Sequence, residues 1–484
     1  MVQQSQRSAM KTTPLSLSLL FLLVRFTTGA PAPGVETFDT DPGWESFRSR
    51  LMPDPPPVVQ QHFGYREKSH LAGGAKPGEI GGRVQRSMNP ATYAKVIPAR
   101  SFEEKLTASG TFAVTKNSGG SGALFGWFNE KSRGWRTPNS LAFRIDGNND
   151  NYWLLFEYGT RHWLTGGGAT FEGRYQTTKT KPFAADGTPH RWSLTYDPAA
   201  EGGNGAVTFT LDGKEWRQPL APGHKADGAV FDRFGIFNQQ TTGDAMEVYF
   251  DDVVLDGSPV DFSEDPKWEA RGNEGTFPER AIRPLHNFGF SNTSFAGGGR
   301  GEIGGIVWRD EKPAYYAART TPLTLQDELS ASGRLAFTVA GSDSGVYLGW
   351  FESRSKQNKT TPEHLENQKN VLAINIEGPS RVGHYIRPGY RTASGEGEIK
   401  SSGPVIYPDG KVHLWKLHYS PSGAGGLGQI ILIFDDSTQT LDLKPGLKES
   451  GARFDRFGLF NTQSGGWHTE LYLDDLTFTR APPK

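Results

Sequence analysis

Apolar and polar positions alternate along most of this chain. In "HRWSLTYDP" (190–198), His190, Trp192, Leu194 and Tyr196 fall on one face, and Arg191, Ser193, Thr195 and Asp197 on the other. A period of two predicts a half-buried β-strand. "AVTFTLDGKEW" (206–216) continues the pattern, with Asp212–Gly213 as a hairpin turn. In "EVYFDDVVL" (247–255) the same alternation places Val248, Phe250, Asp252 and Val254 on one face, so Asp252 is expected among apolar neighbours. Helical periodicity is nearly absent.

The pattern is written twice. "FDRFGIFN" (231–238) recurs as "FDRFGLFN" (454–461), an offset of 454 − 231 = 223. At about that spacing "DPGWE" (41–45) matches "DPKWE" (265–269), "PGEIGG" (77–82) matches "RGEIGG" (300–305), and "VYFDDV" (248–253) matches "LYLDDL" (471–476). "LAFRIDG" (141–147) pairs with "LAINIEG" (372–378) at 231 instead, so the second copy carries an insertion around "SKQNKTTPEHLENQ" (355–368), expected as an exposed loop. So long a period is a whole domain, not a solenoid unit. We therefore expect two homologous domains, 41–257 and 265–480, joined by a linker at 258–264. Many short strands in each copy fit a two-sheet β-sandwich.

Composition adds to this picture. Sixty glycines, 32 prolines and 12% aromatic residues suit a turn-rich all-β chain. Lys plus Arg (52) balances Asp plus Glu (53), which removes any broad electrostatic reason to bind nucleic acid. Lys11, the apolar run 15–24 and the small residues 27–32 read as a signal peptide over 1–32. That predicts an exported protein, secreted, periplasmic or at the cell surface, with no integral membrane segment after cleavage. The absence of cysteine excludes thiolate nucleophiles and thiolate metal sites.

The "FDRFGIFN…EVYFDDVVLDG" ending, the "HRWSLTYDP" strand and its hairpin resemble the concanavalin A-like lectin/glucanase jelly rolls, including laminin-G-like domains. They are also similar to carbohydrate-binding-module sandwiches. The resemblance implies two tandem jelly-roll β-sandwiches and glycan binding, and does not imply an enzyme. Glucanases of that superfamily carry a Glu-x-Asp-x-x-Glu strand, absent from both copies. Glu247 and Asp251 would stand roughly 13 Å apart along a strand, too far for a retaining carboxylate pair.

The candidate residues follow from these expectations. Trp135, Trp163 and Trp467 sit near glycines or turns, where indoles can stack on sugar rings; Tyr158, Arg161 and Tyr390 are further candidates for sugar contact. Trp127, Trp192, Trp350 and Trp415 sit in strand phrases and are expected in the core, with His190 and His413 as structural histidines. A carboxylate among apolar neighbours needs a partner. For Asp252 and Asp475 this is an ion pair with a cation such as Arg233 and Arg456, backbone hydrogen bonds, or a structural Ca²⁺ shared with Glu79 and Glu302. No cofactor is otherwise required. Three functions remain open: binding of a polysaccharide or other glycan, an envelope or matrix interaction protein without a sugar ligand, and a hydrolase or lyase with an unfamiliar site.

Overall fold

Each repeated phrase with period-two alternation forms a strand in an antiparallel sheet. In the computed structural model, which describes residues 34–174, 177–341, 343–354, 368–378, 383–398 and 403–481, His190–Asp197 lies between Leu106–Asn117 and Ala206–Leu211. The expected signal peptide and most of the inserted loop fall outside the described residues.

Both copies build the same two-sheet sandwich. In the first, the back sheet runs Lys214–Pro219, Ala206–Leu211, His190–Asp197, Leu106–Asn117, Ala245–Leu255, Glu79–Gln85, Val58–Arg66. The facing front sheet runs Asn151–Gly159, Ser140–Asn148, Gly122–Phe128, Phe231–Asn238, Thr92–Arg100. The second copy repeats both orders with its own strands. Between the sheets lie the apolar faces, including fully buried Trp127, Phe125 and Phe143 in one sandwich and Trp350, Leu417 and Phe457 in the other. Trp192 and Trp415 also lie in these cores. His190 and His413 are structural, each holding Asp212 or Asp435 through Nδ1 at 2.7 Å.

Strand pairing runs across the boundaries of the sequence repeat. Glu269–Arg271 closes the front sheet of the first sandwich beside Thr92–Arg100. The matching edge of the second is closed by Glu45–Phe47, which pairs with Tyr315–Thr324. Residues 258–264 lie on the first sandwich, where Ser258–Pro259 pairs with Val254–Leu255. Further on, Glu274–Pro278 pairs with Val58–Arg66. The chain therefore passes between sandwiches twice, near 52–57 and 279–285.

Both edge segments are seated by the same device. The carbonyl of Phe262 lies so close to Gly78 (φ +108°) that a Cβ there would collide with it. Phe38 does the same at Gly301 (φ +120°). This explains why "GEIGG" opens on glycine in both copies. Between the sandwiches, Met88, Ala281, Ile306 and Trp308 form a small apolar cluster with Val339 and Trp467 packed against it.

Candidate functional site

Alternation on the front-sheet strands leaves a polar face opposite the core. Along Ser140–Asn148, Leu141, Phe143 and Ile145 face inward, so Ala142, Arg144 and Asp146 face outward. On the neighbouring strand Glu157 lies outward between core-facing Phe156 and Tyr158. Arg144 meets Glu157 at 3.4 Å and Asp146 at 3.6 Å, and Arg86 reaches Asp146 at 4.0 Å.

Aromatic groups from both sandwiches close over this strip. The Arg144 and Arg86 guanidinium carbons lie 5.5 and 5.8 Å from the Trp135 ring centroid. Trp467, from the second sandwich, stacks on Trp135 at 5.8 Å and 21°. Arg283 stands 5.0 Å from the Trp467 centroid. A narrow seam too tight to admit a water molecule lies beneath, lined by Leu124, Trp135, Arg144, Glu157 and Gln239 among others. Gln239 is 3% exposed, and neither its Oε1 nor its Nε2 meets a protein partner.

The second copy varies the same theme. Thr462, at the repeat position of Gln239 (239 + 223 = 462), is 1% exposed and its Oγ1 also lacks a partner. So does the Oδ1 of Asn375, which stands where the first copy has Arg144. Glu377 beside it meets Arg387 at 2.8 Å and Arg309 at 3.2 Å, while Arg391 donates to the Tyr347 hydroxyl at 2.8 Å.

Of the residues expected to contact sugar, Trp135 and Trp467 meet each other. Trp163 stacks on Tyr407 of the second sandwich at 5.7 Å and 21°. Arg161 is exposed and donates to the Asp227 carbonyl. Tyr158 and Tyr390 are each 2% exposed within the cores. Their hydroxyls accept the amide N–H of Ala221 at 3.0 Å and of Lys444 at 2.8 Å, so these two lie on the face opposite the polar strip. Sequence reasoning missed Arg86, Arg144, Glu157, Gln239, Asn375 and Glu377. A signal for several was present: Arg144 and Asp146 in "LAFRIDG", like Asn375 and Glu377 in "LAINIEG", alternate with apolar positions.

The acidic strand requires a correction. Asp252 does not share a face with Phe250. It adopts φ 49°, and the pairing register shifts between Asp251 and Val254. This β-bulge inverts the alternation beyond it. Asp251 (6% exposed) and Asp474 (0%) are the buried acids, whereas Asp252 is exposed and Asp475 meets Arg334 at 2.8 Å. Arg233 and Arg456 instead hold Glu269 at 3.0 Å and Glu45 at 2.8 Å.

Glu79 accepts the amide N–H groups of Leu71 (2.9 Å) and Ala72 (2.7 Å) and the Ser69 hydroxyl. Glu302 repeats this with Phe295 (2.9 Å), Ala296 (2.8 Å) and the Thr293 hydroxyl. Both carboxylates organise loops. Among the described residues no group of three or more His, Asp or Glu is placed to hold a metal. Glu79 and Glu302 are engaged by loop donors, and Asp252 turns outward.

The buried Oδ2 atoms of Asp251 and Asp474 meet no donor and pack against Gly74 and Gly298. Each Oδ1 accepts the N–H of the following residue at 2.7 Å. Burial, reinforced by the adjacent Asp252 or Asp475 and by Glu79 or Glu302, pushes both carboxyls up to about 6.

No family model matches the chain, and no curated protein does. Among solved structures it is similar to domains LG4-5 of the mouse laminin alpha1 chain, with 10% identity, TM-score 0.22, covering 92% of this chain and 93% of that one. The carbohydrate recognition domain of Emp47p shows 11% identity and TM-score 0.27, covering 42% and 92%. Arcelin-5, a lectin-like defence protein from Phaseolus vulgaris, shows 10% and 0.24, covering 37% and 85%. At these TM-scores none of the three carries an argument about this chain.

Proposed function

We propose that this chain binds a hydroxyl-rich ligand, a saccharide, on the outer faces of its front sheets. One observation carries the reading: at the same repeat position both copies hold a buried side-chain polar group without a protein partner, Gln239 and Thr462. Buried polar groups are almost always paired, so unpaired groups beside an Arg–carboxylate network point to an absent partner that both donates and accepts. Sugar hydroxyls do both. Chemistry is not required of the site. In an exported protein the ligand would be an extracellular glycan, and two linked sites would raise apparent affinity for a polymer if both can reach it.

Binding to immobilised polysaccharides tests this. The wild-type chain is expected to bind, and Gln239→Leu to bind about 3- to 10-fold more weakly, the loss of one neutral hydrogen bond. A wild type that binds no saccharide across plant, algal and animal glycans, or an unchanged Gln239→Leu, would sink the reading.

A second reading, protein contact without sugar, has its own observation. Val412, Leu414 and Ile433 are 42%, 60% and 39% exposed, at positions where the first copy has Pro189, Arg191 and Thr210. The apolar surface is therefore not demanded by the fold. On this reading Leu414→Arg removes protein partners recovered with the wild type and leaves saccharide binding intact.

A further inference from the structure

The two edge segments are built alike. In the second sandwich Trp44 packs against Phe38, Tyr316 and Phe478 with ring centroids 5.4–5.9 Å apart. Asp41 accepts the Tyr316 hydroxyl at 3.0 Å. Glu45 accepts from Tyr315 at 2.6 Å, Arg319 at 3.0 Å and Arg456 at 2.8 Å. In the first sandwich Trp268 packs against Phe262 and Tyr93 at 5.6 and 5.9 Å, Asp265 faces the Tyr93 hydroxyl at 3.5 Å, and Glu269 binds Arg233 at 3.0 Å. One socket is written twice, and D-P-x-W-E is its plug.

The two plugs differ in how they are tethered. Residues 260–271 follow a tight turn after Ala245–Leu255 and fold back on the sandwich that turn belongs to. Residues 36–50 reach a socket whose Arg456 is 411 positions away in sequence, and their covalent link is to the other sandwich. Among the described residues, backbone pairing holds them at Glu45–Phe47, at a bridge between Glu36 and Leu476, and where Arg50 meets Asn287. The socket itself belongs to residues 285–480, so nothing in its chemistry distinguishes its own plug from an identical one.

We propose that residues 36–50 are an exchangeable plug, and that the socket on the second sandwich accepts the same segment from a second copy of this chain. Each exchange leaves every hydrogen bond and ion pair of the closed form in place and changes only the tether. Reciprocal exchange closes a dimer; one-way exchange runs on into a chain of copies.

The test uses the full chain carrying Trp44→Ala and Glu45→Ala, which weakens its own plug, and a fluorescent peptide of sequence 34–51. The peptide is expected to bind this variant at least tenfold more tightly than the wild type, whose socket is filled, because a tryptophan anchor is worth more than about 1.4 kcal/mol. The peptide carrying Trp44→Ala is expected not to bind. A folded variant that ignores the wild-type peptide overturns the proposal. Should the variant fail to fold, refolding with the peptide present decides: recovery of the second sandwich supports the exchange, and no recovery overturns it. Two differently tagged wild-type copies, warmed together below unfolding, are expected to co-purify; a mixture that stays separate overturns exchange between intact copies.

Discussion

Trp44→Ala is expected to destabilise the second sandwich by about 3–5 kcal/mol, while Trp268→Ala does the same to the first. Trp44 precedes every strand of the first copy in sequence, so a reading by position alone would assign its loss to that copy. The packing says otherwise. Its indole is 9% exposed inside a core made of Phe288, Leu323, Trp350 and Phe478. Removing it empties an indole-sized volume, and the edge strand that carries Glu45 loses its anchor. Hydrogen exchange resolved by peptide, in urea below the main transition, separates the two outcomes. Faster exchange confined to 302–478 in Trp44→Ala, and to 79–255 in Trp268→Ala, is the expected pair. The reverse assignment, or equal loosening of both sandwiches by either variant, would refute the crossed closure. Glu45→Ala is expected to follow Trp44→Ala in direction with a smaller loss, because it removes the carboxylate shared by Arg456, Arg319 and Tyr315 but leaves the indole in the core and Arg456 beside Asp455.

Much of this architecture was legible in the residues, for a physical reason. A strand with one face buried must alternate, so His190–Asp197 and Leu141–Ile145 declare both their structure and their inward side. Repetition at 223 then reveals the two sandwiches. Three things were hidden. Alternation carries no record of a bulge, so a single left-handed residue at Asp252 exchanged the buried and exposed acids. A repeat reports which residues are equivalent and not which are in contact, so "DPGWE" read as the start of one domain while its tryptophan completes the other. Finally, Tyr158 is a candidate for sugar contact by residue type, although its parity with Phe156 turns it inward. The outer polar strip obeyed the same parity and could have been read from Arg144 and Asp146.

Asp251→Asn and Asp474→Asn are each expected to stabilise the protein near pH 7 by up to about 3 kcal/mol, and to change little near pH 4. The sign follows from burial. Both carboxyls have their ordinary value of 3.8 raised to about 6 in the folded state. The folded protein therefore holds these protons more tightly than the unfolded chain between those limits. Their favourable contribution is complete below about pH 4 and is lost as pH rises through 6, the reverse of an ion-paired aspartate. Around Asp251 stand Glu79 and Asp252, which oppose its ionisation, and His70, which favours it; around Asp474 stand Glu302 and Asp475 against Arg334. An asparagine keeps the Oδ1 that accepts the next amide N–H and removes the charge from the buried Oδ2 position. The two sites occupy separate sandwiches, so their effects should add. Urea midpoints of the wild type, both single variants and the double variant, measured from pH 4 to pH 8, provide the check. Variants that are less stable than the wild type at pH 7, or whose advantage does not shrink on acidification, would show that the inner carboxyls are ionised and paired with a group that the protein supplies only in solution.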